Sequence, residues 1–317
     1  MLGLIRRLRP GAQPAVDPAY GDPLLARLRA AAAAADWPGV RAGLAEATDQ
    51  ADLVWLVGQI AEVAGVEEWI PQAVASESES ALPLLVSGAR QITWGWEART
   101  AARAKYVTRE QWQLFHQRLE TAEEQLYAVA EREPDWLGPW YFLQISGRGG
   151  SVDEDAGTYR FEAALRRCPG HPASHRQRLQ QLCRKWGGSH EQMHAFARTA
   201  MLGAPEGSQL GELVALAHLE HWLDLDRGAD QRYLTSQPVR LQLAEAAQRS
   251  VLHPAYVRRR GWAGPHNTFA MVLSLAGERN LARAVFAHLG DNVTEDPWDY
   301  LSKDPVEAFR LARKDCA

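Results

Sequence analysis

Residues 128–136 read AVAEREPDW, and residues 163–171 read AALRRCPGH. In both stretches an alanine precedes a proline by six positions, and a third turn, Gly203-Ala-Pro205-Glu, follows them. The three prolines are 35 and then 36 residues apart. An amphipathic segment ends before each proline and another begins after it, over 138–146, 172–185 and 209–223. These spacings predict pairs of helices that repeat along the chain.

A period of about 34 residues, with alanine at the close-packing position and proline in the turn, is typical of tetratricopeptide-type repeats. The W-x2-L-G-x2-Y signature of that repeat is missing. We therefore expect an all-α, tetratricopeptide-like solenoid of antiparallel helix pairs. One pair cannot bury its apolar face alone, so stacked pairs leave a long concave surface where a partner can bind.

The rest of the chain also has helical periodicity. Asp22-Pro23 is typical of an N-cap with proline at the first helical position. Strand signals are nearly absent, since no hairpin turn is flanked by alternating β-branched residues. Gly147-Arg-Gly-Gly-Ser151 resembles a phosphate loop in composition alone, because no strand precedes it and no Gly-Lys-Ser/Thr follows. We expect a flexible inter-helix loop there. Further helices are expected over 22–35, 40–47, 52–64, 67–75, 80–102 and 108–133.

The composition bounds the class of protein. The chain has 317 residues, 46% of them hydrophobic, and a net charge of −4, which disfavours a dedicated nucleic-acid binder. Cys168, Cys183 and Cys316 include no CxxC pair, so we expect neither a disulfide framework nor a cysteine zinc site. No apolar run approaches the roughly 18–20 residues of a membrane span. We expect a cytoplasmic protein.

The first residues raise a separate question. In Met1–Tyr20 the arginines follow the short apolar segment instead of preceding it, and no signal-peptide core comes after them. Residues 1–21 are therefore interpreted as a flexible basic tail, with a small amphipathic hook for a partner or membrane surface as the alternative. Residues 22–317 are expected to form a single helical-repeat domain, with a subdivision, if any, near 147–152.

A set of motifs spans about residues 85–305. The most specific is Lys185-Trp-Gly-Gly-Ser189, and Trp94-Gly-Trp96, Cys168-Pro-Gly-His171 and Pro297-Trp-Asp-Tyr300 accompany it. Together they resemble a bacterial family of uncharacterised tetratricopeptide-like proteins with a domain of unknown function. The resemblance implies a helical-repeat fold and supplies no activity, substrate or catalytic residue.

His190-Glu191-Gln-Met-His194 matches the HExxH pattern, which on a helix places two zinc ligands one turn apart beside a general base. Ser189 before it is typical of an N-cap, and the helix dipole favours an acid such as Glu191 in the first turn. We favour the capped helix, with no metal or cofactor, over a zinc-dependent hydrolase. Candidates for a third ligand would be Glu212, His218, Glu220 and His221.

Basic residues are concentrated between 166 and 185. In the concave groove they could clamp an acidic or C-terminal peptide, whereas on the outside they would form a solvated face. We assign partner binding to Arg176, Arg178 and Lys185, with Trp186 as an aromatic anchor. Two other tryptophans near loops, Trp262 and Trp298, could be anchors or could pack in the core.

These features favour a non-catalytic scaffold or adaptor that holds a protein or peptide along its concave face. We expect neither a nucleic-acid partner nor a membrane span. Two alternatives stay open: the zinc-dependent hydrolase, and a dedicated immunity or chaperone partner of a co-produced protein. No GxSxG elbow, Walker A loop or GxGxxG turn is present in the sequence.

Overall fold

The computed structural model describes residues 14–100 and 106–317. These residues are almost wholly helical, which confirms the predicted all-α, helical-repeat class. Their contacts divide the described residues into two compact units, Gly21–Ala204 and Pro205–Ala317, the second including residues 14–20. The boundary lies at Ala204–Pro205, and residues 147–152, near which the sequence allows a subdivision, lie inside the first unit.

The described part of the first unit contains ten α-helices. A short 3-10 helix, Arg184–Trp186, separates the last two of them. Their bounds are α1 (Pro23–Ala33), α2 (Trp37–Leu44), α3 (Gln50–Ala61), α4 (Val66–Ser76), α5 (Ala81–Arg99), α6 (Arg109–Arg132), α7 (Leu137–Gly150), α8 (Glu154–Arg167), α9 (Pro172–Gln181) and α10 (His190–Gly203). Residues 101 and 102, the expected end of the helix that begins near 80, lie outside the described residues.

Helices of the first unit pack as a series of pairs. The odd-numbered helices contact one another in order: α1 contacts α3, α3 contacts α5, α5 contacts α7, and α7 contacts α9. Within pairs, α1 packs on α2, α5 on α6, α7 on α8 and α9 on α10. Pro134 and Pro169 lie in the turns before α7 and α9, as the repeat predicts. This serial packing is what helix-pair repeats produce.

The α5–α6 pair shows why the sequence folds this way. Helix α6 buries apolar residues three or four positions apart, from Phe115 to Val129, and begins with a capping box between Thr108 and Gln111. A Cβ atom at Gly88 of α5 would lie 2.9 Å from Leu126 Cγ. The two long helices therefore pack closely against each other at this position.

The glycine-rich stretch 147–150 is not a loop, so that prediction is wrong. It forms the last turn of α7, which ends where Ser151 adopts the left-handed conformation. A Cβ atom at Gly149 would lie 2.6 Å from Phe115 Cζ and 2.8 Å from Leu119 Cδ1. Glycine is placed here because α7 presses against α6, a tertiary demand that composition does not reveal.

The second unit is built around α14. Helices α11, α13, α15 and α16 all contact it, and its residues from Pro265 to Leu273 are buried. The bounds are α11 (Glu212–Leu223), α12 (Ala229–Leu234), α13 (Gln237–Arg249), α14 (Ala263–Leu275), α15 (Arg279–Leu289) and α16 (Pro305–Asp315), with 3-10 helices at Gln209–Gly211 and Trp298–Tyr300.

Two short strands also belong to this unit. β1 (Ala15–Val16) pairs in parallel with β2 (Asn292–Val293). Part of the segment expected to be a flexible tail is therefore hydrogen-bonded to the body of its unit, while residues 1–13 of that tail lie outside the described residues. Across the helices of the described chain, none is long and apolar enough to cross a membrane.

Candidate functional site

A cavity of about 270 Å³ lies in the first unit, where the end of α7, the start of α8, the end of α9 and the start of α10 meet. We call it the α9 cavity. Two of the four residues predicted to bind a partner, Arg178 and Trp186, line it. Other lining residues of mixed character include Arg148, Asp153, Glu154, Gln181, Leu182 and Gln192.

The Gly-Gly pair of the KWGGS motif shapes the floor of the cavity. Gly187 has a φ of +96°, in the left-handed region. A Cβ atom at Gly188 would overlap the carbonyl oxygen of Leu182. The chain can therefore fold back on the end of α9 only with glycine at both positions. Ser189 is the N-cap of α10, because its side chain accepts a hydrogen bond from the backbone N–H of Gln192 at 3.2 Å.

Arg178 of α9 is partly buried in the wall of the cavity. Its guanidinium donates to the hydroxyl of Thr158 at 3.0 Å and to the side-chain oxygen of Gln181 at 3.3 Å. Both acceptors are neutral, and no carboxylate of the described residues lies within 4 Å of it. Burial lowers the pKa of Arg178, whereas the charges of Glu154 and Glu162 act in the opposite direction. The side chain stays a cation, because an arginine pKa starts far above neutrality.

Trp186 contacts the ring of Trp96 and the guanidinium of Arg148. Its indole meets that of Trp96 edge-on, with ring centroids 6.0 Å apart, and 36% of the residue remains exposed. The guanidinium of Arg148 lies 5.5 Å from the centre of Trp96 and 5.8 Å from that of Trp186. It also donates to Gln177. A fixed, partly exposed indole beside a cation is suited to an apolar or planar ligand group.

The other two predicted residues do not line the cavity. Arg176 and Arg178 are two positions apart on α9, so they project from different sides of the helix. Arg176 lies near the Tyr141 hydroxyl. Burial raises the pKa of this hydroxyl, and the positive charge of Arg176 opposes that rise. Lys185 is exposed on the 3-10 helix. Of the four residues predicted to bind a partner, Arg178 and Trp186 therefore share the cavity, and Arg176 and Lys185 lie outside its lining.

Arg148 is a cavity-lining cation that the sequence pattern does not single out. The sequence predicts a flexible loop at this position, but Arg148 belongs to the last turn of α7 and lines the α9 cavity. The available signal was periodicity: Trp140, Leu143 and Gly147 continue the apolar face of α7 at helical spacing. The glycines on both sides of Arg148 favour a loop, and this preference outweighs the periodicity when the sequence is read alone.

The HExxH residues begin α10 as a capped helix. His190 and His194 lie one turn apart, but no group of three His, Cys, Asp or Glu able to hold a metal is present among residues 14–100 and 106–317. The proposed third ligands all belong to the second unit. There His218 uses both ring nitrogens, at 2.7 Å from the Tyr233 hydroxyl and 3.0 Å from Gln242 Oε1.

The other tryptophans near loops have different surroundings. Trp298 is completely buried and donates its indole N–H to Asn267 Oδ1 at 2.7 Å, so it belongs to the core of the second unit. Trp262 is half-buried beneath Arg258, whose guanidinium lies 3.9 Å from the ring centre. Trp186 is the most exposed of the three.

The fold and the cavity define an all-α helical-repeat protein with a mixed polar and aromatic site at one end of a helix pair. No protein-family model matches the chain, and no curated protein gives a significant match. The likeness to uncharacterised bacterial proteins through KWGGS therefore stays a prediction.

Proposed function

We propose that the protein is a non-catalytic scaffold or adaptor that binds a protein or peptide partner through its first unit. The observation that carries this proposal is the α9 cavity, which is lined both by the partly exposed indole of Trp186 and by Arg178, whose hydrogen-bond acceptors among the described residues are neutral. Arginine and tryptophan are the residue types that most often dominate binding energy at protein interfaces.

The size of the cavity supports a peptide anchor. Its volume is about 270 Å³, at the lower edge of the roughly 300–1,000 Å³ typical of small-molecule sites. Such a space accommodates one side chain of a partner, with the rest of the partner lying outside it. A single buried anchor surrounded by near-neutral contacts is a common arrangement of interface energy.

The packing of the first unit supports a site at the helix ends rather than along the middle of the series. Helix α3 contacts both α5 and α7, and most residues of α7 are buried. Little of the α7 surface is then left for a partner. We accordingly propose that the partner contacts the ends of α7 and α9 and the start of α10.

Affinity capture of the tagged protein from its own cells, followed by mass spectrometry, tests this function. We expect a stoichiometric partner that is lost with Arg178→Glu and with Trp186→Ala. Reversal of both Arg176 and Arg178 to glutamate should abolish binding as well. The matched control is Arg166→Glu, which reverses an exposed charge on α8 away from the cavity lining.

All variants should give the circular dichroism spectrum of the unaltered protein. Full retention of the partner by both cavity variants would contradict the proposed site. Absence of any stoichiometric partner would contradict the scaffold function itself.

A further inference from the structure

The first unit contains buried arginines that serve as an internal comparison. Arg90 is 1% exposed and bonds Glu67 at 2.7 Å and Glu97 at 2.7 and 3.0 Å. Arg160 is 4% exposed and forms a bidentate pair of hydrogen bonds with the carboxylate of Glu123. Each of these buried guanidinium groups therefore forms hydrogen bonds with at least one carboxylate of the same unit. Such pairing is expected, because burying an unpaired charge is costly.

Arg178 departs from this pattern. It is partly buried, yet the groups that it bonds are a hydroxyl and an amide oxygen. A guanidinium has five N–H donors, and these two bonds use two of them. Three donors thus have no acceptor among the described residues, in the wall of a cavity large enough for a side chain.

We propose that the α9 cavity takes one carboxylate side chain, an aspartate or glutamate of the partner, with Arg178 as its counter-ion. This inference rests on the proposed function and specifies the chemistry of the anchor. The remaining donors of Arg178 suit a carboxylate, since guanidinium and carboxylate form paired, charge-assisted hydrogen bonds. The methylene groups of the anchor then lie near Trp186 and Leu182, the apolar part of the lining.

The charges around the cavity favour a singly charged anchor over a phosphate. Asp153 and Glu154 line the same cavity as Arg148 and Arg178. Asp153 is fixed there, because its carboxylate accepts a hydrogen bond from the backbone N–H of Ala156 at 2.8 Å and caps α8. Two acids beside two arginines leave the lining with no net charge, so it lacks the excess positive charge that the second negative charge of a phosphate monoester needs.

Nuclear magnetic resonance of the full chain tests the inference with defined probes. The indole N–H signal of Trp186 is assigned by its loss in Trp186→Phe. Glutamate capped with acetyl and amide groups should shift this signal saturably. Capped glutamine, which has the same shape without the charge, should bind at least about tenfold more weakly, a difference of about 1.4 kcal/mol. Inorganic phosphate should also bind more weakly than capped glutamate.

N-acetylalanine, whose carboxylate is at the chain end, separates a side-chain anchor from a C-terminal one. Tighter binding of N-acetylalanine than of capped glutamate would overturn the side-chain assignment. Arg178→Gln should remove the response to capped glutamate, whereas Arg166→Gln should preserve it. If Arg178→Gln is unfolded, Arg178→Lys replaces it and should weaken binding several-fold.

The two proposals fail in different ways. Equal shifts from capped glutamate and capped glutamine would overturn the carboxylate inference and still leave a side-chain cavity for a partner. Absence of any response to capped glutamate up to tens of millimolar would overturn the inference as well. The scaffold function is judged separately, by the captured partner and its loss in the cavity variants.

Discussion

The guanidinium of Arg160 bonds both carboxylate oxygens of Glu123, each at 2.8 Å. This bond joins α8 to α6, two helices that belong to consecutive pairs. The same guanidinium also donates to the backbone carbonyl of Leu143 on α7. One arginine therefore links three helices, and it stabilises the series of pairs only while its charge is matched.

We expect Glu123→Gln to lower the free energy of unfolding by about 2–4 kcal/mol, because it leaves the buried Arg160 charge without a counter-ion. Chemical denaturation measures this change. The matched control is Glu162→Gln, which removes a carboxylate from an exposed pair with Arg166 and should change the free energy by less than about 0.5 kcal/mol. Equal effects of the two variants would contradict the role assigned to Arg160.

Two neighbouring glycines at the end of α7 should respond in opposite directions to alanine. Gly149→Ala places a Cβ atom against Phe115 and Leu119, and should lower the free energy of unfolding by about 1–3 kcal/mol. Gly150→Ala meets no atom within 4 Å and should be neutral or stabilising by up to about 1 kcal/mol. Denaturant unfolding of both variants tests the helical assignment of this stretch, since a flexible loop would tolerate both changes.

The start of α9 should make the first unit sensitive to acid. Burial, together with the charges of His175 and Arg176, lowers the pKa of His171 to about 4. Its Nδ1 atom accepts a hydrogen bond from the backbone N–H of Ser174 and thereby caps the N-terminus of α9. The unfolded chain binds a proton near pH 6.5, whereas the folded protein binds it only near pH 4. Stability is therefore fully present above about pH 6.5 and is lost as the pH falls toward 4.

The expected loss from His171 is up to about 3 kcal/mol between these pH values. His171→Asn keeps a capping side chain that does not titrate. Denaturant unfolding at pH 7.5 and pH 4.5 should show a smaller pH dependence in this variant than in the unaltered protein. His266 of the second unit, whose pKa burial also lowers to about 4, is common to both proteins and does not affect the comparison. Identical pH dependence would refute the assignment to His171.

Trp298→Phe should destabilise the second unit without affecting a partner. The substitution leaves the buried Asn267 carbonyl without the indole N–H that now lies 2.7 Å from it. An unsatisfied buried acceptor costs about 1–3 kcal/mol. Thermal unfolding should show the loss, and Trp262→Phe, at a half-buried ring, should cost less. Loss of partner binding by folded Trp298→Phe would contradict the purely structural role assigned to this tryptophan.

Most helices of the first unit could be predicted from local patterns. The segment expected at 108–133 is Arg109–Arg132 in the structure, because its apolar spacing and its cap are both encoded within a few residues. The segment expected at 172–185 ends earlier, at Gln181. There the chain folds back so that Gly188 can pass the Leu182 carbonyl, and that requirement comes from packing and not from periodicity.

The candidate site was predicted only in part, for the same reason. Arg178 and Trp186 were identified by residue type and do line the α9 cavity. Arg148 was missed, and Arg176 and Lys185 lie outside the lining. Residue type and spacing show which side chains can bind a partner, but the neighbouring helices decide which of them share a cavity.

The sequence by itself determined that this chain is all-α and that its helix pairs repeat with proline in the turns, because helical periodicity and capping act over a few residues. Only the tertiary structure decided that glycines 147, 149 and 150 are helical, and that Arg160 bonds a carboxylate while Arg178 bonds none among the residues that the structure describes. These properties depend on contacts between residues tens of positions apart, and such contacts exist only after the pairs have stacked.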